Sequence, residues 1–414
     1  MVASESRRAR AGCEDSTDER RILVVNTGSS SVKLGLFAAG RVVRRIGSAE
    51  VDRVGPSSAG ARDSRPAASP PDPTDATAHQ RAFRRTLRSL VPDLDSGIDA
   101  IGHRIVHGGR AFTSPTLISP SVLAVLRELV SLAPDHLPQA IAAAETLVYA
   151  APSIPQVACF DTAFHQTLPP AARAVALPRR LGIERFGFHG LSFEYALARL
   201  RSIDACQADG RVIVAHLGSG ASMAAVRHGR CMETTMGFTP AGGLVMGTRP
   251  GDLDPGMLIH LAQDGATAGE LQRLINREAG LLALSELSSD MQELLGTPDP
   301  RAELAVDVFC YQARKFVGAL ASVLDGLDSL VFTGGIGANA AEVRTRICTG
   351  LGHLGVELDP GANAADRDIV SARDSAVTVR VIVTDEELMV ARHTNALVRD
   401  TPGRTQRRND ECHR

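Results

Sequence analysis

The stretch "ILVVNTGSSSVKLGLF", residues 22–37, decides how the rest of the chain is read. The apolar run 22–25 predicts a strand, the run 34–37 a second one, and the polar residues between them a tight turn. That turn holds Asn26, Thr27, Gly28 and three serines, and Lys33 follows it as one of only two lysines among 45 basic residues. Glycine lets the backbone approach a ligand closely, and small hydroxyl and amide donors beside one scarce cation suit a bound anion. Phosphate is the natural guest.

Further along the chain the same grammar returns. "HLGSGAS" (216–222) follows the apolar run of "RVIVAHLGSGAS", and "VFTGGIGAN" (331–339) ends another strand pattern. Neither turn, nor the first, is a P-loop, because GxxxxGK[ST] is absent. Helical spacing dominates 257–326, and two α/β halves each opening on strand, glycine turn, strand point to an internal duplication. Residues 1–20 and the segment 55–78, rich in Pro, Ser, Ala and Asp, read as disordered extension and flexible surface insertion, and 399–414 as a flexible tail.

Bulk properties narrow the function classes. The 414 residues suffice for two domains, and 44% hydrophobic with 22% charged residues is ordinary for a globular chain. A formal net charge of −2 gives no electrostatic reason to expect nucleic acid or an acidic membrane as partner. No apolar run approaches the length of a membrane helix, and the charged N-terminus lacks a secretory apolar core. Seven dispersed cysteines with no CxxC pair fit free thiols in a reducing compartment, so a cytoplasmic location is expected.

Four further constellations carry chemistry. "HRIVHGG" (103–109) spaces His103 and His107 for a metal pair on a helix, but its apolar centre favours a strand, on which they are not so placed. Arg104, just before the glycine turn, offers a planar fork for a carboxylate or phosphoryl group, or a surface salt bridge. Asp161 in "FDTAFHQT" closes a strand where an acid can hold Mg²⁺ or simply cap the next segment. His189 in "RFGFHGLS" is either a satisfied core histidine or a donor to a phosphoryl group. The glycine- and proline-rich stretch "METTMGFTPAGGLVMGTRPGDLDPG" (232–256) presents one arginine, Arg249. Two arginine clamps suit a transition state that spreads negative charge over phosphoryl oxygens.

These segments, with "GLLALSELSSDMQEL" and "TDEELMVARHT", fall in the order of the acetate kinase family and closely resemble it over about residues 21–398. The resemblance implies an α/β fold of two duplicated actin-like (ribonuclease H-like) ATPase domains with a central active-site cleft. It implies an N-terminal domain over 21–163, a nucleotide-binding domain over 164–386, and a C-terminal helix, 387–398, packing back on the first. The implied reaction is reversible Mg²⁺-dependent transfer from ATP to acetate, giving ADP and acetyl phosphate, in a homodimer; Mn²⁺ is a possible substitute. Carried over by motif, Arg104, Asp161, His189 and Arg249 are the catalytic set, and Asn26 and Glu386 face the metal. Ser29, Ser31, Lys33, His216, Gly218 and Gly220 face the nucleotide phosphates. Asp290, Met291, Gln292, Gly335, Ile336, Gly337 and Asn339 hold the adenosine. Val106, Asp135, His136, Phe188 and Pro240, with Arg104, form the carboxylate site.

Departures from the family pattern qualify this. "LAPDHLP" puts Asp135 where a leucine borders the acyl pocket, and an acid there repels a small anion unless an arginine neutralises it. An altered acyl preference, for propionate or butyrate, or a degenerate homologue of weak activity, are the alternatives this raises. Gln292 replaces an arginine against the adenine, Ser219 an asparagine, Ala338 a glutamate and Asp385 an asparagine. Two other classes compete. "GGIGANAA" contains a dinucleotide-type GxGxxA, but it sits late in the chain and leaves the first turn unexplained. A nucleotide-driven switch shares the phosphate turns and gives no reason for Arg104, Arg249 and His189 to converge.

Overall fold

The computed structural model describes residues 19–28, 31–52, 83 and 85–399. The insertion 55–78, the serines Ser29 and Ser30 at the first tip, and nearly all of both terminal extensions lie outside these. Two mixed sheets organise the chain. The first has the order β3-β2-β1-β4-β6-β5, built from β1 (Arg20–Thr27), β2 (Ser31–Ala39), β3 (Val43–Asp52), β4 (Ala100–Ile105), β5 (Thr116–Leu117) and β6 (Gln156–Phe160). The second has the order β11-β10-β7-β8-β9, from β7 (Arg211–Leu217), β8 (Ala221–Arg227), β9 (Arg230–Thr234), β10 (Ser329–Thr333) and β11 (Thr378–Val381).

The two sheets repeat one plan. In each, the first three strands form an antiparallel meander, and two later strands add in parallel beside the first. The equivalence extends to the register. Asn26 of β1 faces Lys33 of β2 on one side and Arg104 of β4 on the other. At the matching place His216 of β7 faces Ser222 of β8 and Thr333 of β10. The fold is α/β with duplicated actin-like domains, and the polar ends of both meanders form the wall of a cleft.

Helices cover the sheets because strands buried on both faces read as apolar runs, and parallel crossovers put helices on those faces. Here α1 (Pro120–Glu128) and α2 (Leu137–Ala150) follow β4 and its turn, and α3 (Gly190–Ile203) follows β6. Next come α4 (Pro255–Gln263) and the short α5 (Met291–Leu295). The long α6 (Pro300–Leu324), α7 (Gly334–Asn339), α8 (Ala341–Cys348) and α9 (Glu386–Arg399) complete the second half. The helices closing each half are exchanged. Helix α3 buries Phe193, Ala196 and Leu200 with Val212, Val214 and Val226 of the second sheet. Helix α9 buries Met389, Val390 and Ala391 with Ile22, Val24 and Val157 of the first. A Cβ on Gly102 of β4 would lie 2.3 Å from Thr394 Oγ1 and 2.7 Å from Val390 Cγ1. Glycine in that strand leaves room for side chains of the helix packed on it.

Candidate active site

A cleft of about 880 Å³ opens between the two sheets. From the first sheet come Asn26, Lys33, Arg104 and, one residue past β6, Asp161. From the second come His216, Gly218 and Gly220, joined by Gly335 at the start of α7 and Glu386 at the start of α9. Val106, His136, Phe188, His189, Pro240 and Arg249 close the floor. Arg104 and Arg249, distant in sequence, thus share one cavity.

Arg104 is held rigidly. Its Nε and Nη2 donate to Asp161 at 3.1 and 2.8 Å, and its Nη1 lies 2.8 Å from Glu386 Oε2 and 3.2 Å from Asn26 Oδ1. Burial pulls the guanidinium down, but Asp161 and Glu386 outweigh it and hold the pKa above its ordinary value. Burial likewise pushes Asp161 up against the pull of Arg104. With both carboxylate oxygens accepting from one fork, the pair is ionised. The strand reading of "HRIV" is correct, and the metal pair is not formed. His103 bonds Gln156 at 2.7 Å, and His107 Nδ1 accepts from the Gly109 amide at 2.8 Å.

Arg249 is the opposite kind of cation. The one hydrogen bond of its guanidinium among the described residues runs from Nη1 to the Pro240 carbonyl, 2.6 Å. Burial lowers its pKa to about 10, so it remains charged at neutral pH. A half-buried guanidinium with donors to spare favours an anion beside it. A Cβ on Gly220 would stand 2.8 Å from Arg249 Nη2 and 3.2 Å from His189 Nε2, so both donors converge above that glycine. His189 takes the left-handed conformation, φ 58°, at the head of α3, which turns its ring into the cleft. The sequence left His189 open between core residue and donor; it faces the cavity. Its ring stacks on His216 with centroids 4.4 Å apart. Burial lowers the pKa of His189 well below the ordinary value, reinforced by His216 and both arginines, and lowers His216 to about 4. His136 falls to about 4 from burial, Arg249 and Arg104. Three neutral imidazoles line this floor.

The remaining expected site residues fall at the rim of this cleft, beyond its lining, or outside the described residues. Asp135 is absent from this cleft's lining. It borders an adjoining cavity of about 600 Å³ and pairs with Arg277 at 2.5 Å. An arginine therefore neutralises the acid that the sequence placed beside the acyl pocket. The expected adenosine residues do not line the cleft beyond Gly335. Asp290 caps α5, accepting from the Gln292 and Glu293 amides, while Met291 is buried and Gln292 is exposed. Ile336 packs on the core, and Asn339 Nδ2 donates to the Gly335 carbonyl. Gly337 gives its carbonyl to Arg344. Ser29 is outside the described residues, and of Ser31 only the backbone, opening β2, is described. Lys33 sits at the rim, 3.9 Å from Glu50. Sequence reasoning missed Arg45, which enters the cleft rim by pairing with Glu387 and Asp385 at 2.5 and 2.8 Å. Nothing in its local motif marks it. Ser192 and Ser222 were also missed, although both lie in motifs read for other residues.

The donor set suits a hard cation. Asn26 and Glu386 offer oxygens, yet among the described residues no three His, Cys, Asp or Glu side chains form a metal-holding cluster. That composition fits Mg²⁺, which keeps waters and takes substrate phosphates alongside one or two protein oxygens. Among the same residues no helix is long and apolar enough to cross a membrane.

Comparison with known proteins agrees with this architecture. Residues 21–392 match the acetokinase family. The acetate kinase of Rhodopseudomonas palustris is 44% identical over 403 residues, covering 90% of this chain and 97% of that one. The acetate kinase of Nitrobacter hamburgensis is 45% identical over 390 residues, covering 92% and 96%. The crystal structure of Porphyromonas gingivalis acetate kinase superposes with a TM-score of 0.78 at 36% identity, covering 92% of this chain and all of that one. A propionate kinase from Francisella tularensis gives 0.75 at 32% identity, covering 91% and 99%. With both sheets, the cleft between them and the whole run of motifs inside these matches, the chain belongs to the acetokinase family.

Proposed function

We propose that the chain catalyses reversible phosphoryl transfer between ATP and acetate. One observation carries the reading: Arg249, charged and without a carboxylate bonded to it among the described residues, shares a cleft with an Arg104 paired to both Asp161 and Glu386. A carboxylate is already ionised at neutral pH, so the protein needs no strong general base. Its task is positioning and charge neutralisation. The acetate oxygen attacks the γ-phosphorus in line, the new O–P bond forms as the bridging β–γ bond breaks, and ADP departs with the electron pair.

The residues take distinct parts in that step. Arg249 and His189 donate to the equatorial oxygens from above Gly220, and Arg104 neutralises the opposite side. Asp161 fixes the Arg104 fork. Val106, Phe188 and Pro240 exclude water around the methyl group. Asn26 and Glu386 would hold Mg²⁺, which supplies further neutralisation of the phosphate charge. Lys33, His216, Gly218 and Gly335 line the side where the nucleotide phosphates lie.

Trapping tests the reaction class. Incubation with ATP, Mg²⁺, acetate and neutral hydroxylamine should accumulate acetohydroxamate in step with ADP; ADP without hydroxamate would refute carboxylate phosphorylation. The homodimer implied by the family pattern finds support in α4, which buries none of its residues and exposes Met257 and Ile259. Sedimentation velocity should return twice the chain mass and, for Ile259→Glu, a shift toward monomer. A monomeric wild-type protein would refute this assembly.

A further inference from the structure

We propose that Ser222 and Ser192 are positioning residues that fix His189 and His216 in the tautomer bearing its proton on Nε2. Both rings then act as neutral hydrogen-bond donors into the cleft.

The four residues form a reciprocal brace. Helix α3 supplies His189 at its head and Ser192 in its first turn, while the meander supplies His216 and Ser222, opposed across β7 and β8. His189 Nδ1 lies 2.9 Å from Ser222 Oγ, and His216 Nδ1 lies 2.7 Å from Ser192 Oγ. Each histidine thus bonds the serine of the other element, with the rings stacked between. Both serines are fully buried, and among the described residues neither hydroxyl has another hydrogen-bond partner.

That inventory decides the tautomer. A buried hydroxyl must donate its proton somewhere, and among the described residues the one acceptor bonded to each is an imidazole Nδ1. Were Nδ1 to carry the hydrogen and donate instead, the proton of a fully buried serine hydroxyl would have no acceptor among the described residues. Nδ1 therefore accepts, and a neutral ring keeps its hydrogen on Nε2. For His189 this is the atom that converges with Arg249 above Gly220. A lone pair at that point would repel anionic oxygens; an N–H attracts them. Two imidazolium ions stacked this closely beside two guanidinium groups would repel, so donation by neutral rings is the state the geometry permits.

The value of this device for phosphoryl transfer rests on the kinase reading; the tautomer assignment does not. The test is two-bond ¹⁵N–¹H correlation spectroscopy on the full chain labelled at histidine nitrogens, at about pH 7, with His189→Gln and His216→Gln assigning the rings. Both rings should show a protonated Nε2 and an accepting Nδ1. Ser222→Ala should move the Nδ1 resonance of His189, and Ser192→Ala that of His216. In the same preparations Ser222→Ala should lower kcat about tenfold with KM for ATP changed less than about twofold, and Ser222→Thr should restore most of the rate. A protonated Nδ1 in either wild-type ring would overturn the assignment, and unchanged kcat in a folded Ser222→Ala would overturn the positioning role. Absent kinase activity alongside the expected spectra would overturn the kinase reading alone.

Discussion

Asp135 shows how one contact redirects a reading of sequence. Standing where the family carries an apolar residue, it promised to repel a small carboxylate. Folded, it borders the neighbouring cavity and is neutralised by Arg277. Asp135→Leu should accordingly leave the ratio of kcat/KM for acetate, propionate and butyrate within about twofold of wild type, because a surface-accessible pair of this kind contributes little. A change of tenfold in that ratio would return Asp135 to the acyl pocket. The identities of Arg104, Asp161, His189 and Arg249 were readable from their motifs, since each sits at a strand end or glycine turn. Their states were not. That Arg104 is paired with two carboxylates while Arg249 has none bonded to it depends in part on Glu386, hundreds of residues away from the strand that it reaches.

At the level of elements, α7 with its "GGIGAN" turn depends on a side chain that no motif advertised. Arg344 of α8 is fully buried, donating to the Gly337 and Ala338 carbonyls at 3.0 Å and to Asn363 Oδ1 at 2.7 Å, with Asp366 as its ion-pair partner. Arg344→Met should strand those carbonyls, cost about 2–3 kcal/mol of stability and raise KM for ATP severalfold. Thermal melts and steady-state kinetics check both effects; an unchanged KM would mean the turn holds its shape without Arg344. Strands and long helices were foreseen because their apolar periods are unambiguous. The exchange of α3 and α9 was not derivable from period alone. It is set by furrows such as the one over Gly102, where a strand glycine admits a helix from the other half.

Across the whole molecule, burial of neutral histidines sets the acid limit of stability. Burial lowers His103, His107, His136, His165 and His216 to about 4, and His189 well below its ordinary value. Unfolded, each titrates near 6.5, so between these values the unfolded chain binds more protons than the folded one. The stability they contribute is complete above about pH 6.5 and is lost progressively toward about pH 4. Melts across that window should show Tm falling steadily with acidity; a flat profile would mean these rings are charged or exposed. The duplication was visible in sequence as two strand–turn–strand openings, while the matched registers of Lys33–Asn26–Arg104 and Ser222–His216–Thr333 needed the sheets themselves.

The account stands or falls on a guanidinium whose partner is the migrating phosphoryl group. The Arg249 guanidinium bonds only the Pro240 carbonyl among the described residues, so Arg249→Ala removes it without abandoning a buried carboxylate. At saturating ATP and acetate, kcat of that variant should fall a hundredfold or more, about 3 kcal/mol of transition-state stabilisation, with Tm essentially unchanged. Turnover close to wild type in the folded variant would contradict the account.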